Sequence, residues 1–98
     1  METGLIETPD EVVDNKIRSR YEMRLGDETA FVTYRLTGDT IALLHAEVPW
    51  TVQGRGIGGR LVDAVMRDVA RRGLKARMVC SFAAIHVAGR PEFAGLIV

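Results

Sequence analysis

The chain has 98 residues, 47% hydrophobic and 27% charged, and its 13 lysines and arginines are balanced by 13 aspartates and glutamates. That length suits one domain, here 1–98, with a modest core, and zero net charge argues against a general nucleic-acid or polyanion binder, which carries a basic excess. The single cysteine, Cys80, excludes an internal disulfide and any metal site built on several thiolates, and no metal site is expected.

Residues 1–11, METGLIETPDE, are acidic and read as a loose arm. They lack the basic and apolar regions of a signal peptide. No apolar run approaches the ~20 residues of a membrane span, so a cytoplasmic protein without membrane attachment is the expectation. Lys16–Leu25 alternates, with Ile17, Ser19, Tyr21, Met23 and Leu25 on one face and charges on the other, which predicts a first strand. Gly26–Glu28 is a turn signal, and Thr29–Leu36, rich in β-branched and aromatic residues, predicts a second strand. After the turn Thr37–Asp39, Thr40–Val48 predicts a third strand, central in its sheet because it is apolar on nearly both faces. Strict alternation would put Glu47 and His45 on one face with Ile41 and Leu43, leaving Ala42, Leu44, Ala46 and Val48 to meet a helix. Pro49, which donates no hydrogen bond, ends the strand.

Residues 57–72 switch to helical spacing, with Ile57, Leu61, Val62, Val65, Met66 and Val69 in one stripe. Asp63–Arg67 and Asp68–Arg72 fall at i,i+4 on the polar side, worth about 0.2–0.5 kcal/mol each. Gly73 stops the helix. Leu74–Phe82 predicts a fourth strand, and a strand, helix and strand joined this closely form a right-handed crossover with parallel strands. A short helix broken near Gly89–Pro91 and a terminal turn complete the chain. The fold class is therefore α/β (α+β), a mixed and mostly antiparallel sheet with a βαβ crossover and helices packed on its faces.

The most informative stretch is EVPWTVQGRGIGGR, Glu47–Arg60, which holds four glycines between Gly54 and Gly59. A glycine-rich turn entering a helix presents main-chain N–H groups that have no intrahelical partner, at the positive end of the helix dipole. Phosphate or pyrophosphate fits that chemistry, and Arg55 and Arg60 add charge. Gly59 is followed by Arg60-Leu61, so the Lys-Ser/Thr of a P-loop is missing. Gly54, Gly56 and Gly59 do spell G-x-G-x-x-G, but three predicted antiparallel strands precede them and no acid closes the following strand, which disfavours a Rossmann nucleotide binder. Gln53-Gly54-Arg55-Gly56-Ile57-Gly58 matches a third pattern, Gln/Arg-x-x-Gly-x-Gly/Ala, at each fixed position.

On that motif, on the strand order and on the tail, the chain resembles the GNAT superfamily of acyl-CoA-dependent N-acetyltransferases, and within it a branch of very small single-domain members. That branch reads roughly His-Thr-Glu-Val-Pro, Gly-Leu-Lys, Cys-Pro-Phe and Tyr-Ile…His-Pro-Glu-Tyr. This chain has His45-Ala46-Glu47-Val48-Pro49, Gly73-Leu74-Lys75, Cys80-Ser81-Phe82 and His86-Val87…Arg90-Pro91-Glu92-Phe93. It departs at Ala46, Ser81, His86, Arg90 and Phe93, several of them where a catalytic acid would stand.

The resemblance implies a minimal GNAT-like fold and acetyl-CoA as cofactor, with its pyrophosphate cradled by Gln53, Gly54, Arg55, Gly56, Ile57, Gly58, Gly59 and Arg60. It implies that the strands flanking the helix splay apart, that the main chain near Glu47 and Val48 pairs with the pantetheine arm, and that an N–H there polarises the thioester oxygen. Glu47 is the candidate general base, its alternative a solvated strand end. Cys80 is a nucleophile if its thiolate is stabilised, and otherwise a buried core residue. His86 is a candidate acid for the leaving thiolate or a polar residue facing solvent. His45 reads as structural, and Trp50 as loop packing. The expected activity is N-acetylation of an amine by direct transfer in a ternary complex; a coenzyme A-binding module with little turnover is the alternative. With no predicted helices before or between the first strands, the acceptor cleft should be open and shallow, suited to a protein lysine, a protein N-terminus or a polyamine.

Overall fold

The computed structural model describes residues 12–98; the arm expected over residues 1–11 lies outside the described residues. Five strands form one sheet in sequence order: β1 (Val13–Asn15), β2 (Arg20–Leu25), β3 (Glu28–Thr37), β4 (Thr40–Glu47) and β5 (Lys75–Met78). The first four make an antiparallel meander, and β5 runs parallel to β4 after the crossover through helix α1 (Ile57–Arg71). A second helix, α2 (Ser81–Ala88), and a 3-10 segment, Pro91–Leu96, close the chain. The mixed sheet and the crossover agree with the expected class.

Three boundaries differ from the sequence pattern. The strand expected over Lys16–Leu25 begins only at Arg20; residues 16–19 form a turn that joins it to a short strand, β1, lying before the expected range. Asn15 Oδ1 accepts from the Arg18 amide at 3.1 Å, Ser19 N donates to Lys16 O at 3.3 Å, and Ser19 adopts a left-handed backbone with φ 52°. Local side-chain capping of this kind competes with a ladder, and Ile17, expected inward, is 97% exposed. The strand expected over Leu74–Phe82 ends at Met78 because the carbonyl of Leu43 accepts both the Val79 amide (2.9 Å) and the Cys80 amide (2.8 Å). The chain then turns, and Ala84 N donates to Cys80 O at 3.0 Å as α2 begins.

The third difference lies inside β4. Thr33 pairs with His45 but Tyr34 pairs with Leu43, so Leu44 is an extra residue, a β-bulge. The bulge reverses the alternation. Ile41 and Leu43 are fully buried, whereas beyond the bulge Ala46 and Val48 take over the core-facing side and His45 and Glu47 turn outward. The face expected to meet the helix, Ala42, Leu44, Ala46 and Val48, is thus split between the two sides.

Helix α1 buries the stripe anticipated for it: Ile57, Leu61, Val62, Val65, Met66 and Val69 are at most 3% exposed. Each such side chain contributes about 1.5–3 kcal/mol on burial. They pack on Tyr21, Met23, Val32, Ile41 and Leu43 from one side of the sheet. The helix ends in a Schellman arrangement, Leu74 N to Val69 O (2.9 Å) and Gly73 N to Ala70 O (3.1 Å). Helix α2 packs against α1 on this same side. The opposite sheet face, with Glu22, Phe31 under the Arg20 guanidinium, Thr33, His45 and Glu47, carries no helix among the described residues.

At its C-terminal end α1 is fastened to the meander. Tyr21 and Tyr34, ring centroids 5.4 Å apart, donate hydroxyls to Asp68 and Asp14, both at 2.6 Å, and Arg72 reaches the Tyr21 hydroxyl at 3.0 Å. The anticipated Asp68–Arg72 pair forms, at 3.3 Å. The Asp63–Arg67 pair does not: Asp63 turns inward, for reasons that belong to the site.

Candidate functional site

Between β4 and α1 the chain makes a single 3-10 turn, Trp50–Val52, then the glycine segment. Gln53 fastens this segment by donating Nε2 to Val48 O at 3.0 Å. Gly54 and Gly56 have φ of 85° and 73°, a left-handed backbone that side chains other than Asn and Asp strongly disfavour. The first α-helical bond is Arg60 N to Gly56 O at 3.1 Å. Among the described residues no protein acceptor takes the amides of Gly54 through Gly59. These amides gather where the helix dipole is positive.

Beyond the Leu43–Met78 pair, β4 and β5 part. A cleft of about 400 Å³ opens there, lined by Val48, Gln53, Gly54, Gly56, Ile57, Gly58 and Gly59, with Ala46 and Phe82 as an apolar wall. Arg55 and Arg60 are not on that wall; the Arg60 guanidinium folds back to the Arg55 carbonyl at 3.0 Å.

The last two glycines serve a second purpose. A Cβ at Gly58 would stand 2.8 Å from Phe82 Cζ, and one at Gly59 would stand 2.8 Å from His86 Cε1. Their bare backbone lets α2 lie directly on the first turn of α1. Phe82 and His86, one helical turn apart on α2, stack with ring planes 12° apart. Two of the four glycines therefore shape the loop, and two admit a neighbouring helix.

The three candidate catalytic side chains are dispersed. Glu47 is exposed on the open sheet face, its Oε1 3.5 Å from His45 Nε2. Cys80 is buried, 7% exposed, at the start of α2. His86 lies on Gly59, and its Nε2 meets Asp63 Oδ1 at 2.8 Å; a carboxylate oxygen only accepts, so Nε2 carries the hydrogen. The other oxygen of Asp63 accepts from Arg90 at 2.7 Å. Asp63 is 6% exposed, against the solvated position expected for it.

Asp63 and Phe82 escaped the sequence reading. The available signal was spacing: Gly59 and Asp63 share a helix face at i,i+4, as do Phe82 and His86.

Comparison with known proteins points in one direction. The family model described as GCN5-related N-acetyl-transferase matches residues 20–96. Protein NATD1 of Gallus gallus is 32% identical over 93 residues, covering 90% of this chain and 84% of that protein. Protein NATD1 of Xenopus tropicalis is 32% identical over 83 residues, covering 82% and 76%. The NMR solution structure of a GCN5-like protein from Staphylococcus aureus has the same fold, with a TM-score of 0.71 at 21% identity, covering 94% of this chain and 91% of that one.

Proposed function

This chain belongs to the GCN5-related N-acetyltransferase family, and on that footing we propose that it is a cytoplasmic acetyl-CoA-dependent N-acetyltransferase that acts on an amine by direct transfer. The supporting observation is the set of amides from Gly54 to Gly59 that no acceptor among the described residues takes, standing at a helix start on the floor of a cleft bounded by the end of β4 and by Phe82 of α2. The donor set fits the cofactor. Main-chain N–H groups, uncrowded at Gly54 and Gly56 where a Cβ would meet nothing within 4 Å, suit a pyrophosphate. The apolar wall of Ala46, Val48 and Phe82 suits a pantetheine arm. Acetyl-CoA, when bound, supplies an acyl group activated as a thioester.

The protein's own part is largely main chain. Gln53 holds the loop, the amides of residues 54–59 neutralise phosphate charge, and Arg55 and Arg60 add cationic character at the rim. A main-chain N–H near Val48 polarises a carbonyl oxygen, as an oxyanion hole does. The bulge at Leu44 is what puts Glu47 on the sheet face opposite the helix, between the cleft residues Ala46 and Val48. An amine approaching from that uncovered face meets Glu47, which takes its proton directly or through water. The same open face favours an acceptor that needs no enclosure: a protein lysine, a protein N-terminus or a polyamine. Cys80 as nucleophile and His86 as acid are the remaining candidate catalytic groups, and direct transfer requires no covalent intermediate on Cys80.

A coenzyme A-binding module with little turnover is the second reading, favoured by the burial of Cys80 and the engagement of His86 with Asp63. Titration calorimetry with acetyl-CoA and an acetylation assay over a panel of amines separate the two. Binding with turnover supports the enzyme, binding without turnover the module, and absence of binding removes both.

A further inference from the structure

Among the described residues, Asp63 is the buried charged side chain. Withdrawing a carboxylate from water is unfavourable unless both oxygens are served. Here both are: His86 donates to Oδ1 at 2.8 Å and Arg90 to Oδ2 at 2.7 Å. An apolar residue would fill the same space at no loss of stability in many proteins, so a buried ion pair here calls for a reason beyond cohesion.

Its partners supply one. His86 lies within α2 and Arg90 just beyond its end, so the Asp63 carboxylate ties that helix to α1 at two points. His86 rests on Gly59 and stacks on Phe82, Phe82 rests on Gly58, and Phe82 is the α2 side chain that walls the cleft. Contacts run unbroken from Asp63 through the imidazole to the aromatic wall. Beneath Phe82 and His86 the first turn of α1 presents only the bare backbone of Gly58 and Gly59. Van der Waals contact alone leaves two such surfaces free to slide, whereas a two-point ionic tie fixes their register.

We propose that Asp63 is a positioning residue: by holding His86 and Arg90 it sets α2 across the glycine entrance of α1 and so places Phe82 as the wall of the carrier cleft. This rests on the acetyl-CoA reading above, and the test keeps the two apart. Asp63→Asn conserves volume and removes the charge. In the ligand-free protein, at a temperature where circular dichroism shows both forms folded, the aromatic carbon and proton resonances of Phe82 move in Asp63→Asn. The dissociation constant for acetyl-CoA then rises about tenfold or more, as displaced contacts at a cleft wall do. Arg90→Ala weakens binding likewise, and Arg90→Lys, which keeps a cation within reach, recovers most of it. A residue that only held the fold together would lower the melting temperature without moving either readout.

Unmoved Phe82 resonances in both Asp63→Asn and Arg90→Ala overturn the inference whatever acetyl-CoA does. So does an acetyl-CoA affinity within twofold of the unaltered protein. Failure of the unaltered protein to bind acetyl-CoA defeats the functional reading, and the proposed effect on affinity with it, while the resonances still report separately on the tie. Should Asp63→Asn not fold, the Arg90 pair carries the test alone.

Discussion

The imidazole of His86 lies on the bare backbone of Gly59, its Cε1 2.8 Å from the point a Cβ would occupy. Real Cβ atoms do not come that close to another heavy atom, and the ring cannot easily give way because Asp63 holds its far nitrogen. Gly59→Ala is therefore expected to destabilise the fold by about 1–3 kcal/mol, the usual cost of overpacking, which lowers the melting temperature of a domain this size by about 4–8 °C per kcal/mol. Removing the ring as well, in Gly59→Ala with His86→Ala, should recover part of that loss. A double variant no more stable than Gly59→Ala would show that the ring is not the obstacle.

Gly56 makes a different demand, backbone conformation. At φ 73° it adopts the left-handed form that asparagine and aspartate tolerate better than other side chains. Gly56→Asn and Gly56→Asp thus impose comparable strain and differ in charge. The expected outcome is that Gly56→Asp loses acetyl-CoA affinity by at least an order of magnitude more than Gly56→Asn, because a carboxylate beside the amides repels phosphate. Calorimetric titration of both variants decides it, and equal affinities would remove the loop from the carrier site.

Glu47 should separate chemistry from carrier binding. Its side chain stands on the face opposite the cleft wall, so Glu47→Gln leaves acetyl-CoA affinity unchanged while lowering turnover about 10²–10⁴-fold, the usual contribution of a general base. Unimpaired turnover in the variant would assign proton removal to another group.

The tyrosines beneath α1 set an alkaline limit. Burial, followed by the hydrogen bond to Asp14, pushes the Tyr34 hydroxyl up to about 12, and burial followed by the Asp68 hydrogen bond raises Tyr21 further. A folded value above the unfolded one means the stabilisation is complete below about pH 10, the ordinary tyrosine value, and is lost as pH rises through the raised values. Tyrosinate absorbance should therefore appear together with loss of circular dichroism. Tyr21→Phe, which leaves Asp68 one donor short, should be about 1 kcal/mol less stable at neutral pH.

Acid acts through other groups. The Arg20 hydrogen bond holds Glu22 below the usual carboxylate range against its partial burial. Burial pushes Asp68 upward, but hydrogen bonds from Tyr21, Arg71 and Arg72 outweigh it and leave the group lowered. Lowered folded values give stability that is full above about pH 4 and drains away as pH falls through them. Asp68→Asn should flatten the acid limb of a stability profile, and an unchanged slope would show that this network is not responsible.

Much of the architecture could be read along the chain, because its causes are local. The α1 stripe from Ile57 to Val69 follows from helical periodicity, the end of that helix from Gly73, and the tight turn before it from glycines that run into a helix start. Each depends on neighbours within a few positions. The parallel partner of β4 followed from the short connections on either side of α1.

What escaped was set between segments distant in sequence. Leu44 bulges because of how β4 registers against β3, and that one extra residue carries Glu47 to the open face and Val48 to the cleft; alternation within β4 contains no trace of it. Asp63 looked like a solvated partner for Arg67 until α2, some twenty positions later, covered it and supplied His86 and Arg90. Periodicity and turn chemistry are written into contiguous residues, whereas register, burial of a charge and the contact of Gly58 and Gly59 with a second helix arise only when remote parts of the chain share space.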